Sequence, residues 1–196
     1  MKDIRTNLIK YMFEALYTEG YHACNLNAIL QKAGTSKGGM YHHFDSKQAL
    51  AIEAIDEVIG HYVKHYWEDT LEQSENSLQT LYENIRNLSK ETTLEHFGIR
   101  FEYGCPLNNL IQELSASDEV FSQVLQTLFK RWETAIVKAL TRVKKDLRID
   151  VEIVHAASFI IASIEGSFSY AKVYNSKDAF GYLMDQLIAF IKSLLR

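Results

Sequence analysis

The sequence predicts an all-α protein of about nine helices, and three observations lead there. Its 196 residues contain one proline, Pro106, and nine glycines, so long stretches are free of helix breakers. Apolar residues recur at three- and four-residue steps along most of the chain rather than alternating. At 47% apolar, the composition supplies a core and excludes a mostly disordered chain. The start, Met1-Lys2-Asp3-Ile4-Arg5, places charges where a secretory leader needs an apolar run. The apolar stretch Phe159–Ile164 is too short to cross a bilayer, so a cytoplasmic location without a membrane partner is expected. Two cysteines, Cys24 and Cys105, form no disulfide framework. Buried, reduced thiols are the default reading for them, and a redox switch is the alternative.

Taken in order, the first helix is expected from Lys2 to Glu19, with Ile4, Leu8, Met12, Ala15 and Leu16 on one side and Gly20 as its stop. Asn25 is placed to cap a second helix, Leu26–Lys32, with Leu26, Ile29 and Leu30 inward. Ala33-Gly34-Thr35 makes the turn, and Ser36 caps a third helix running from Lys37 through Phe44. Gly38 and Gly39 weaken that helix by about 1 kcal/mol each, a liability that close approach of the backbone to another surface would explain. Ser46 caps a long fourth helix from Lys47 to about Leu71, and a fifth covers Ser77–Thr92. The segment Leu94–Pro106, with Gly98, Gly104 and the proline, breaks regular structure. A short sixth helix ends near Leu114, Ser117 caps a seventh through Lys144, Asp150 caps an eighth to Tyr174, and a ninth spans Lys177–Leu195.

The net charge of −4 looks wrong for a nucleic-acid binder until it is divided. Residues 1–47 carry six basic and four acidic side chains, and the rest carries 15 and 21, so a mildly basic head sits on an acidic body. The second and third helices, short and joined by a glycine-containing turn, have the form of a DNA-binding helix-turn-helix. Ser36, Lys37, Gly38, Tyr41 and His42 would face outward, a set of donors and one cation suited to phosphates and base edges. Tyr41 and Phe44 could instead pack a helical core, and Lys47 could be a solvated charge.

The residues themselves sharpen this. Residues 20–50, GYHACNLNAILQKAGTSKGGMYHHFDSKQAL, closely resemble the DNA-binding domain of the TetR (tetracycline-repressor-like) family, and AGTSKGGMYHHFDSKQAL is the most specific run. GCPLNNLIQELSASDEVF resembles the mid-chain segment of one branch of that family. The resemblance implies a DNA-binding domain at 1–47 and an effector-binding and dimerisation domain at 48–196. It implies that Thr35, Ser36, Lys37 and Gly38 touch bases or backbone, that Tyr41 and His42 contact phosphates, and that Lys47 reaches a phosphate. Asn25 stands where a Thr or Ser often caps the second helix and meets the DNA backbone.

The same resemblance implies a homodimer on double-stranded palindromic DNA, released by a small apolar or aromatic effector whose identity the sequence does not carry. Repression is the expected outcome, although its polarity is not written in the residues. The dimer surface is expected on the last two helices, from Ile164, Phe168, Leu183, Leu187, Ile191 and Leu194, unless these fill the monomer's own core. The effector pocket would draw on Tyr62, Tyr66, Phe101, Tyr103, Asn108, Phe129, Trp132, Phe159 and Glu165. Glu165 interrupts an apolar run, and it could meet a cationic or hydroxylated ligand or pair across the dimer. No GxSxG, HExxH or nucleotide-binding fingerprint is present, so neither an enzyme nor a cofactor is expected. Glu57, His61 and His65 share a helix face at metal-ligand spacing, but solvated side chains are the plainer reading and no metal is expected.

Overall fold

The computed structural model describes residues 3–90 and 99–196. Among these residues the chain is helical without a strand; Leu147 and Leu195 make one isolated antiparallel bridge. The helices are α1 (Ile4–Thr18), α2 (Leu26–Ala33), α3 (Lys37–Tyr41), α4 (Lys47–Ile55), α5 (Asp69–Gln73), α6 (Ser77–Asn87), α7 (Pro106–Leu114), α8 (Glu119–Arg142), α9 (Ile153–Tyr174) and α10 (Lys177–Ser193). Between α4 and α5 the helix does not stop. It widens into π-type turns over Asp56–Gly60 and Val63–Glu68, so residues 47–73 are helical throughout.

The chain packs as two compact units, one of Met1–His61 with Pro106–Thr127 and one of Tyr62–Cys105 with Leu128–Arg196. In the first unit α1 buries Leu8, Met12 and Leu16 at no more than 2% exposure, and Ile4 stays 40% exposed rather than joining them. Burying a leucine of this kind contributes roughly 1.5–3 kcal/mol. Gly20 closes the helix at φ +87°, a conformation that favours glycine. The Asn25 carboxamide oxygen accepts from the Asn27 and Ala28 amides at 2.9 and 3.4 Å, and Gly34 ends α2 at φ +70°. Ser36 and Ser46 cap α3 and α4, accepting from Gly39 N at 3.2 Å and Ala49 N at 2.9 Å. The expected run of α3 to Phe44 is corrected: the helix stops at Tyr41, and both His43 N and Phe44 N turn back to Met40 O. Asp118, not Ser117, caps α8, its carboxylate accepting from Val120 N and Phe121 N at 3.0 and 3.1 Å. A carboxylate at a helix start also meets the positive end of the helix dipole.

In the second unit Trp67, Leu81, Ile136, Ile160, Ile161, Phe180 and Ile191 are buried to 2% exposure or less. The Tyr66 hydroxyl donates to Asn84 O at 2.7 Å, and the Asn84 amide donates to Tyr66 O at 2.9 Å and Thr70 Oγ1 at 2.8 Å. Arg131 grips Glu68 through two bonds of 2.9 Å, and its guanidinium holds the Glu68 carboxyl below the usual range. The cap expected from Asp150 is absent: α9 starts at Ile153 after Glu152, without a side-chain cap, and Asn175 ends it at φ +46°. Ser176 caps α10, accepting from Ala179 N at 3.1 Å. The 22-residue α9 extends well beyond Phe159–Ile164 and is long and apolar enough to cross a bilayer by length and composition alone. It is also a partly buried core helix, and it carries Glu165. The fifth helix was expected to reach Thr92, but α6 ends at Asn87 with Leu88 as its C-cap; Thr92 itself lies outside the described residues.

Candidate nucleic-acid interface

The first unit assembles an exposed polar surface on a buried apolar base. Met40 at 0% and Phe44 at 7% exposure seat α3 on the core, whereas Tyr41 is 55% exposed. The core reading therefore holds for Phe44 and fails for Tyr41. Ser36, Lys37, Gly38 and His42, expected to face outward, are exposed along with Tyr41 on and around α3. A tyrosine left this exposed on a short helix is an amphipathic contact group without a protein partner to cover it.

The two glycines separate. A Cβ on Gly39 would collide with Thr35 Oγ1, so a side chain there forces Thr35 to shift. A Cβ on Gly38 would meet only Ser36 Oγ at 3.8 Å, an ordinary contact. Gly38 is thus the one of the pair that leaves α3 open to close approach by another surface. Thr35 is half-buried against Gly39, and Asn25 is exposed with its carboxamide oxygen committed to capping α2.

Lys47 does more inside the unit than the sequence suggested. Its ammonium donates to Tyr21 O at 2.8 Å and Cys24 O at 3.2 Å and lies 4.6 Å from the centroid of the Tyr21 ring. It ties the loop between α1 and α2 to the start of α4. Glu113, which sequence reading missed, holds the same loop from the other side, accepting from Tyr21 N at 3.0 Å and His22 N at 2.9 Å. Gly20 has no room for a side chain there, since a Cβ would stand 2.7 Å from Glu113 Oε2. Gln48 adds a bond to Asp118 at 2.9 Å, and the Tyr21 ring packs edge-on against Phe121 at 4.6 Å. Burial pushes the Cys24 thiol up, with Lys47 opposing that shift, and Cys24 Sγ donates to Tyr21 O. A buried thiol held protonated is the setting of an inert cysteine.

The residues expected around an effector lie as follows. Tyr62 and Tyr66 are buried and stacked, with centroids 5.3 Å apart, and Trp67 and Trp132 continue the cluster at 5.2 Å. Phe129 meets Trp132 edge-on at 6.3 Å. Glu165 is buried at 8% exposure, and burial raises its carboxyl to about 7. Tyr103 is half-buried in the turn Phe101–Tyr103, with the Arg100 guanidinium 4.4 Å from its ring centroid, while the Phe101 side chain lies outside the described residues. Asn108 packs with the first unit and is half-buried there. Phe159 is corrected: it is 51% exposed and meets Phe190 on the outer face of α9 and α10.

The residues expected at a dimer surface lie as follows. Ile164, Phe168, Leu187, Ile191 and Leu194 are all buried within the monomer at 7% exposure or less, and only Leu183 is half-buried at the surface. The apolar side chains that α9 and α10 turn outward are Phe159, Tyr170, Val173, Tyr174 and Tyr182. Phe159, Gly166, Tyr170, Leu183, Leu187 and Phe190 contribute to a groove of about 380 Å³ along that face. Both helices carry apolar residues on two faces, and periodicity alone does not say which face the monomer covers. Glu57, His61 and His65 are exposed, and His65 Nδ1 lies 2.7 Å from Asp69 Oδ2. Among the described residues no three His, Cys, Asp or Glu side chains converge as a metal-binding group.

An all-helical chain whose outward-facing recognition helix is the second limb of a helix-turn-helix is a DNA-binding transcription regulator. Residues 12–54 match the profile "Bacterial regulatory proteins, tetR family", and residues 78–187 match "Tetracyclin repressor-like, C-terminal domain". The chain belongs to the TetR family. It is 31% identical over 178 residues to an uncharacterised HTH-type transcriptional regulator in the lacX 3′ region of Lactococcus lactis, covering 88% of this chain and 85% of that one. The HTH-type transcriptional repressor DhaR of a Mycobacterium species is 23% identical over 184 residues, covering 89% and 85%. In fold, a TetR-family regulator from Cytophaga hutchinsonii superposes with a TM-score of 0.85 at 20% identity, over 97% of this chain and 94% of that one.

Proposed function

We propose that this TetR-family regulator represses transcription in the cytoplasm as a homodimer on a palindromic operator, and that a small-molecule effector releases it. The observation that carries the reading is the exposed set Ser36, Lys37, Gly38, Tyr41 and His42 above the buried Met40 and Phe44. Ser36 and Lys37 stand at the start of α3, where donors and positive charge meet a phosphate backbone, and Tyr41 and His42 reach further along the groove. Gly38 lets the helix backbone close on the DNA. Thr35 and Asn25 act from the edge of this surface. Lys47 keeps the loop in place through two of its three donors, and the third is directed to a phosphate.

One recognition helix covers too few base pairs for a specific site. Two of them, one helical turn of DNA apart or a multiple of it, read a palindrome. The exposed aromatics of α9 and α10 support a homodimer through that outer face, with Phe159, Tyr170 and Tyr182 at its centre. The repressor relative supports the sign of the regulation. An effector held in the aromatic interior of the second unit favours one spacing of the recognition helices and DNA the other, so the two affinities are coupled reciprocally.

The test is fluorescence polarisation with palindromic DNA from upstream of the gene, together with sedimentation equilibrium of the protein. Tight binding that weakens steeply with salt, in a dimer that Phe159→Asp dissociates, supports the reading. Binding no tighter than to random DNA across the genome's palindromes would overturn it.

A further inference from the structure

Glu165 is the one acidic side chain on α9 that the chain buries, and it faces the interior rather than the outer face of that helix. Neither of its oxygens has a hydrogen-bond partner beyond the weak donor that the nearby Cys105 thiol offers. No lysine, arginine or histidine among the described residues balances its charge, which leaves burial as the dominant influence on it. Its neighbours are aromatic. The Tyr62 hydroxyl is pushed up chiefly by burial and least by the Glu165 charge; its ring lies stacked on Tyr66 and adjoins Trp67, which meets Trp132. The Tyr82 hydroxyl and the Trp132 indole nitrogen of the same unit are likewise buried without a partner.

A buried, uncompensated carboxylate costs several kcal/mol, and a buried carboxyl whose only partner is a weak thiol donor points to a group that completes it. The chemistry that completes this set is narrow. An anion is excluded by the carboxylate. A neutral apolar molecule fits the rings and leaves the carboxyl as it was. A cation answers both features, because its charge neutralises Glu165 and the electron-rich faces of Tyr62, Tyr66 and the tryptophans attract it. A carboxylate within an aromatic set suits a nitrogen that cannot shed its charge, above all a quaternary ammonium. Glu165 is buried inside the monomer, which separates it from any partner across the dimer face.

We propose that Glu165 and the Tyr62–Tyr66 stack form a recognition site for an organic monocation, an ammonium centre carrying an apolar body, and that this is the effector class of the protein. The proposal rests on the reading that the second unit holds the effector. Glu165 supplies the specificity for charge and the rings supply area; removing the carboxylate erases the preference for a cation without removing the apolar site.

The only two tryptophans of the chain, Trp67 and Trp132, both lie in this cluster, so intrinsic fluorescence reports on it. Wild type, Glu165→Gln and Glu165→Asp are titrated with benzyltrimethylammonium and with neopentylbenzene, its uncharged isostere, and calorimetry is run alongside. Wild type is expected to bind the cation at least about tenfold more tightly than the isostere. Glu165→Gln is expected to lose that preference while keeping the isostere's affinity, and Glu165→Asp to keep part of it. A single cooperative thermal transition in each variant shows that it is folded. No saturable binding of the cation at millimolar concentration, no preference in wild type, or a preference surviving in Glu165→Gln overturns the proposal. Operator binding in the same preparations separates the two readings. Selective cation binding that leaves DNA affinity unchanged sinks the effector assignment, whereas ligand-insensitive chemistry at Glu165 leaves DNA recognition untouched.

Discussion

The two units differ in how they treat polar groups. In the first unit, which holds the helix-turn-helix, the polar side chains are exposed or closely partnered: Glu113 accepts two backbone amides, Lys47 donates to two carbonyls, and Asp3, Asn25, Ser36, Ser46 and Asp118 cap helices. Among the described residues, the buried side-chain nitrogens and oxygens without a partner all fall in the other unit, on Trp67, Tyr82, Trp132 and Glu165. A surface that must fit the fixed shape of DNA benefits from a rigid base. An interior that responds to a small molecule benefits from unsatisfied groups, because a ligand shifts an equilibrium only through interactions that one state lacks.

The sharpest way to break this contrast is a pH series. The Glu165 carboxyl is raised from 4.5 to about 7 by burial, with Cys105 and Tyr62 as the titratable groups beside it. Below about pH 4.5 both folded and unfolded chains hold this proton, so there is no penalty. As pH rises toward 7 the unfolded chain ionises while the folded one does not, and stability falls by on the order of 3 kcal/mol. Urea unfolding at pH 5 and pH 8 is expected to give that loss in wild type, and a loss smaller by that amount in Glu165→Gln. Equal losses in the two would remove the contrast.

Next in size is the pair of glycines in α3. Gly39→Ala is expected to destabilise the reading unit by about 1–3 kcal/mol, because its Cβ meets Thr35 Oγ1. Gly38→Ala is expected to leave the melting temperature unchanged or higher while operator affinity falls at least about tenfold. Calorimetric melts and polarisation titrations read the two effects separately, and a matched loss of stability in both variants would deny Gly38 its separate role. Glu113→Gln weakens two charge-assisted bonds to the α1–α2 loop and is expected to cost about 1–2 kcal/mol. Hydrogen exchange at Tyr21 and His22 should rise with it, and protection equal to wild type would show that the loop is held by other means. The smallest effect on stability is Tyr41→Ala, expected within about 0.5 kcal/mol of wild type, although operator affinity drops about tenfold. A large loss of stability would return Tyr41 to the core.

Much of this was legible in the chain itself. Single local rules govern the features that were read correctly: Asn25, Ser36 and Ser46 cap because their side chains reach amides two or three residues on, and Gly20 and Gly34 sit at positive φ where helices end. The resemblance over residues 20–50 added the family, and the structure then seated Tyr41 outward and Phe44 inward, two aromatics that composition treats alike. Glu113 carried no local signal, since the amides it holds lie 91 and 92 residues away in sequence. Ser117 and Asp118 are both good caps one residue apart, and only backbone geometry chose the second.

The sequence by itself determined that the chain is helical, where Asn25, Ser36 and Ser46 start helices, and which family the chain belongs to, because capping, periodicity and a contiguous motif are short-range properties. Only the tertiary structure decided which face of each C-terminal helix the monomer keeps. It turned Ile164, Phe168, Leu187, Ile191 and Leu194 inward and left Phe159 and Tyr182 outside. It also decided that Glu165 is buried with no partner but the weak Cys105 donor and that Gly38 is open where Gly39 is not. Those outcomes depend on which surfaces meet across tens of residues, and an apolar or acidic side chain has the same identity on either side of a helix.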